Sequence, residues 1–88
     1  MNAARRRDLA LVALKLRALA TSLDEIKSDL QPVLEEEQEA FDNLPESLQD
    51  GDRGQAMQGA LDTMQEILDD LDNLDPDKLA DDLETAAE

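Results

Sequence analysis

Apolar residues recur along the first half of the chain at Leu9, Val12, Leu16, Leu19, Leu23, Ile26, Leu30 and Val33. The steps alternate three and four, a heptad pattern that predicts an amphipathic helix with a coiled-coil-like seam. Leu34, Ala40 and Phe41 carry the stripe to about Asp42, so helix one is predicted over 8–42. Pro32 lies inside the run and predicts a kink, because it removes an amide donor and crowds the preceding turn. Ser22 with Glu25 matches a capping box, so a break near Thr21 is the alternative. Asp8 is a candidate N-cap, which leaves 1–7 as a basic arm around Arg5, Arg6 and Arg7.

Turn chemistry follows. Asn43-Leu44-Pro45-Glu46-Ser47-Leu48-Gln49 reads as a turn entering a short helical piece, and Asp50-Gly51 as a second turn with Asp52 as a cap. The elbow therefore covers 43–52. A second helix is predicted over 53–74, with Met57, Ala60, Leu61, Met64, Ile67, Leu68, Leu71 and Leu74 on one face. Asp75-Pro76 pairs an N-cap with a first-turn proline and starts a short last helix over 76–86, carrying Leu79, Ala80 and Leu83. Nothing shows the period-two alternation of a strand. The predicted fold is all-α, a single domain: an antiparallel helical hairpin with a long kinked first helix, a short elbow, and a return helix broken near Asp75-Pro76.

Residues 9–20, LALVALKLRALA, are apolar on two sides, with Leu11, Leu14 and Ala18 facing away from the main stripe. A helix apolar on two sides needs two partners. Self-association into a homodimeric four-helix assembly is the favoured reading, and a docking patch for another protein the alternative. Arg5 to Arg7 followed by this run imitates a signal peptide, but Asp8, Lys15 and Arg17 interrupt it and the heptad continues through it. The run is too short to span a bilayer, and the acidic remainder would be repelled by anionic lipid, so no membrane partner is expected.

Composition narrows the chemistry. There is no Cys and no His among 88 residues, which removes a thiol nucleophile and the usual neutral-pH base. The formal net charge is −15, with 23 acidic against 8 basic side chains, so direct nucleic-acid binding through phosphate contacts is not expected. Asp50-Gly51-Asp52-Arg53-Gly54 and Asp70-x-Asp72 resemble fragments of calcium loops without the EF-hand order, and no metal or cofactor is predicted. Paired carboxylates on convex helix faces are a poor basis for acid–base catalysis, and the chain is read as not an enzyme.

The acids themselves are the candidate site. Carboxylates at i, i+3 and i+4 sit about 5–6 Å apart along a helix and can imitate a row of phosphates. Such a row can occupy the basic groove of a nucleic-acid-binding protein, helped by electrostatic steering. The candidates are Glu35, Glu36, Glu39 and Asp42 with Asp62, Glu66, Asp69 and Asp70. The plainer reading is that such charge confers solubility.

The stretch Glu35-Glu36-Glu37-Gln38-Glu39-Ala40-Phe41-Asp42-Asn43-Leu44-Pro45-Glu46-Ser47-Leu48-Gln49, followed by Arg53-Gly54-Gln55-Ala56-Met57, resembles a group of small acidic helical proteins of bacteriophages and prophages. The resemblance covers roughly residues 33–72. It implies a phage setting, action in the bacterial host's cytoplasm, and a partner among host proteins with basic surfaces, including defence nucleases. The expected function is therefore an acidic, nucleic-acid-mimicking inhibitor, with a helical assembly module as the alternative.

Overall fold

The computed structural model describes residues 1–88 and is all-helical. The elements are α1 (Ala3–Asp42), α2 (Glu46–Gln49), α3 (Asp52–Asp72) and α4 (Pro76–Ala86). They form two compact units, one made of Met1–Glu25 with Leu74–Glu88 and the other of Ile26–Asn73. These are unit 1 and unit 2 below.

Helix α1 takes in the basic arm. The Asn2 side chain accepts the Arg5 amide at 2.9 Å and so caps the first turn, where Asp8 was expected to do it. Ala and Arg favour helix, so nothing in 3–7 opposes propagation once Asn2 caps it. No break occurs at Thr21, and the helix runs through Pro32. Proline leaves the Ser28 carbonyl without its helical donor, but Ser28 and Pro32 are both exposed, so water can serve that carbonyl.

In unit 1 the first part of α1 lies antiparallel to α4. The Arg6 guanidinium donates to the Glu88 carbonyl at 3.4 Å, whereas Arg17 reaches Asp77 at 3.6 Å. Residue numbers thus rise on one helix as they fall on the other. Asp75 caps α4 by accepting the Lys78 amide at 3.1 Å, and Pro76 sits in the first turn. Ala13 and Ala80 are the most buried side chains. Ala20 and Ala87 share their rows, and small residues on both helices allow close approach.

In unit 2 the second part of α1 runs antiparallel to α3. Lys27 pairs with Asp72 at 3.3 Å at one end, and the elbow joins the helices at the other. The Gln49 side chain donates to the carbonyls of Phe41 (3.3 Å), which also accepts the Leu44 amide at 3.1 Å, and of Leu44 (3.1 Å), tying the end of α1 to the elbow. Pro45 occupies the position before α2, and its carbonyl accepts from Leu48 and Gln49. Gly51, not Asp52, stands at the N-cap of α3, and Asp52 falls in the first turn. Gly54 packs against the backbone of Gln49, where a Cβ would overlap the carbonyl group.

The seam differs from the predicted stripe in one consistent way. Covered positions on α1 are Leu9, Ala13, Leu16, Ala20, Leu23, Lys27, Leu30, Leu34, Glu37 and Phe41, all buried or half-buried. Leu9, Leu16, Leu23, Leu30, Leu34 and Phe41 are predicted there. Val12, Leu19, Ile26, Val33 and Ala40 are also predicted to be covered but are exposed. On α3 the covered positions are Gly54, Met57, Leu61, Met64, Leu68 and Leu71, with Ala60 and Ile67 left out; Leu74, predicted on this helix, lies beyond its end and is exposed, and on α4 Leu79 is left out beside buried Ala80. At Val12, Leu19, Ile26, Val33, Ala60, Ile67 and Leu79 the seam takes the residue one place later: in unit 1 that residue is an alanine (Ala13, Ala20, Ala80), whose small side chain allows close helix approach, and in unit 2 it is Lys27, Leu34, Leu61 and Leu68.

Candidate functional site

The seam positions define what each flank presents. They recur as pairs three apart, such as 27 and 30 or 61 and 64. The residue just before such a pair lies on one flank and the residue just after it on the other. An antiparallel pair is related by a two-fold axis perpendicular to its helices. Equivalent positions on the two helices therefore share a side.

One side of unit 2 is built from glutamine and carboxylate. Gln31 donates to Glu35 at 3.2 Å and Gln38 to Asp42 at 2.9 Å on α1. Gln58 donates to Asp62 and Gln65 to Asp69, both at 3.0 Å, on α3. Each bond spans four residues and each repeats after seven. Every one of these residues directly follows a seam position, so the four pairs lie on the same side. A glutamine amide orients a carboxylate without neutralising it, which an arginine or lysine would do. The face is therefore ordered and fully charged.

All eight candidate acids fall in unit 2 and all are exposed. Glu35, Asp42, Asp62 and Asp69 belong to the glutamine face. Glu39 and Glu66 lie on the backs of their helices, directly away from the seam. Glu36 and Asp70 border the opposite flank. The eight thus wrap the outer half of the unit, and four form an ordered array.

That opposite flank of unit 2 is apolar and carries Ile26, Val33 and Ile67; in unit 1, described by itself, Val12, Leu19 and Leu79 are likewise left out of the seam, and each of the six is between 44% and 52% exposed. Leu11 and Ala18, assigned from sequence to an oligomer surface, lie on the back of α1, and Leu14 lies toward the polar side; all three are exposed.

Charge is divided unevenly. Unit 1 holds six basic and nine acidic side chains, a formal −3, whereas unit 2 holds two and fourteen, a formal −12. In unit 1 Arg17 bridges Asp81 (2.8 Å) and Glu84 (2.9 Å), and hydrogen bonds to Asp81 and then Glu84 hold its pKa above the ordinary arginine value. The Lys78 ammonium is likewise raised, first by its hydrogen bond to Asp82. Arg5, Arg7 and Lys15 take no part in an ion pair within the chain.

No group of three or more acidic side chains is arranged to hold a metal ion, there is no cavity, and no helix is long and apolar enough to cross a membrane. Comparison with known protein families, curated proteins and solved structures finds no match for the chain.

The glutamine rows were missed by the sequence reading, which weighed acids alone. The signal was present as Gln-x-x-x-Asp/Glu repeated after seven residues on both helices.

Proposed function

We propose that this chain is a non-catalytic protein-binding protein. Its unit 2 would occupy a basic, nucleic-acid-binding surface of a host protein and so inhibit it. The observation that supports this reading is the side formed by Glu35, Asp42, Asp62 and Asp69, each carboxylate oriented by a neutral glutamine. Each such bond adds only about 0.2–0.5 kcal/mol to its own helix; its larger use is to hold the charges in register as a template for guanidinium and ammonium groups. On this reading the whole chain is an antiparallel hairpin, encoded by a phage and acting in the cytoplasm of its bacterial host.

The test is displacement of a labelled duplex from a panel of purified bacterial nucleases. At least one nuclease should release its duplex, with potency falling steeply between about 0.05 and 0.2 M salt. Replacing Glu35 and Asp42 with Gln and Asn, and Asp62 and Asp69 with Asn, should weaken displacement at least tenfold. Displacement indifferent to salt and to these substitutions would overturn the reading, and so would failure to displace from any member of the panel.

A second reading, a helical assembly module, is favoured by one observation: the half-exposed apolar residues Ile26, Val33 and Ile67 on the opposite flank of unit 2. It predicts that function follows the apolar residues and ignores the four neutralised carboxylates.

A further inference from the structure

In unit 2 the residues just before the seam pairs are Ile26, Val33 and Ala40 on α1 and Arg53, Ala60 and Ile67 on α3, all of them exposed. Both rows lie on the side opposite the glutamines. Because the helices are antiparallel, Ile26, Val33 and Ile67 fall toward the Lys27–Asp72 end, and Ala40 and Ala60 toward the elbow. Two apolar rows repeating every seven residues are what an amphipathic third helix packs against, and no helix of this chain covers them. We propose that the occupant is a basic amphipathic helix of another protein, docked along this flank of unit 2 as the third helix of a bundle. Its larger apolar side chains would sit over Ala40 and Ala60, and its smaller ones over the two isoleucines and Val33.

Charge sets the chemistry of that helix. Asp29 and Glu36 border the flank on α1 and Asp70 borders it on α3, and none of the three takes part in an ion pair within the chain. Unit 2 holds only two cations: Lys27 lies in the seam against Asp72, and Arg53 stands at the elbow end of the flank. An apolar strip edged by uncompensated acids, in a unit of formal charge −12, attracts a helix with lysine or arginine on both margins of its apolar face and repels an acidic one. The same flank of a second copy carries the same acids on its margins, so like charge would meet like. Glu35, Asp42, Asp62 and Asp69 lie on the other side of the unit, so this inference stands whether or not the inhibitor reading does.

The probe is a synthetic peptide of about 21 residues, with leucines three and four apart and lysine or arginine on both margins of that face. It is titrated against the full chain at about 0.15 M salt. Two controls have the same length: a scramble of identical composition with no apolar face, and a peptide with glutamate in place of every basic residue. The basic amphipathic peptide should bind and become helical, and both controls should bind at least about tenfold more weakly. Val33→Glu with Ile67→Glu should weaken its binding about tenfold even though negative charge is added, because the apolar contact is lost. Asp29→Lys, Glu36→Lys and Asp70→Lys together should turn the preference toward the acidic peptide, a readout that does not depend on the glutamate pair folding. Replacing Glu35 and Asp42 with Gln and Asn, and Asp62 and Asp69 with Asn, should change peptide affinity less than about threefold. The chain with Val33→Glu and Ile67→Glu should still displace duplex from a nuclease, which separates failure here from failure of the inhibitor reading. Equal binding of the scramble, full binding by the glutamate pair, or an unchanged preference after the charge reversal would each overturn the proposal. So would a native chain that light scattering shows to be a dimer parted by the glutamate pair, since the flank would then belong to a second copy.

Discussion

Gly54 and Gln49 show how single side chains set the geometry of the elbow. Gly54 is buried where α3 meets α2, and a Cβ there would overlap backbone that cannot rotate away. Gly54→Ala should therefore destabilise the protein by about 1–3 kcal/mol, the usual cost of overpacking a fitted site. That change outweighs the roughly 1 kcal/mol that alanine normally gains over glycine inside a helix. Gly59, with open space around it, is the control: Gly59→Ala should stabilise. Urea unfolding of the two variants checks both signs. From sequence, Gly54 read as part of a calcium-loop-like fragment; its packing role needed a neighbour that no local pattern names. The same holds for Gln49, whose amide reaches the Phe41 and Leu44 carbonyls across the elbow.

Helix α1 is held by its seam more than by local propensity. Pro32 removes one backbone hydrogen bond from an exposed turn, and the helix persists because Leu30, Leu34 and Phe41 stay covered on either side. Pro32→Ala restores the donor and relieves the clash with the preceding turn, so it should stabilise by about 1–3 kcal/mol, up to the full interior cost of proline. Thermal melting followed by circular dichroism checks this; an unchanged or lowered midpoint would show that the bend itself is needed for packing. The Arg17 cluster with Asp77, Asp81 and Glu84 adds less, because all its members are substantially solvent-exposed and screened. The start and span of α4 were legible because Asp75 and Pro76 act locally. The start of α1 was not, because Asn2 and Asp8 offer competing caps and only the realised turn selects one.

The charge of the complete chain works against its own folding. Most of the formal −15 resides in unit 2, where fourteen carboxylates face two cations. Screening should therefore stabilise the fold: raising ionic strength from about 0.01 to 0.15 M shortens the screening length from about 30 to 8 Å. A gain of about 1 kcal/mol would read as a rise of roughly 4–8 °C in melting temperature for a chain of this size. A midpoint that falls with salt would mean that the ion pairs of unit 1 outweigh the repulsion in unit 2. Unneutralised charge of this extent is a standing cost, and four of its carboxylates, Glu35, Asp42, Asp62 and Asp69, are held in place by glutamines on one side of unit 2.

What could be read from residue order alone is the helical class, the elbow, the joint at Asp75-Pro76 and the exposure of the acids, since each depends on neighbours within a turn or two. The register of the seam could not be read that way. Leu9, Leu16, Leu23 and Leu30 are flanked equally by the row of Val12 and the row of Ala13. Hydrophobicity favours the first row, yet packing covers the second: in unit 1 that row is Ala13 and Ala20, over which helices approach closely, and in unit 2 it continues as Lys27, Leu34 and Phe41. That one-residue choice moved an apolar row to the surface and set the ordered carboxylates on the side opposite it.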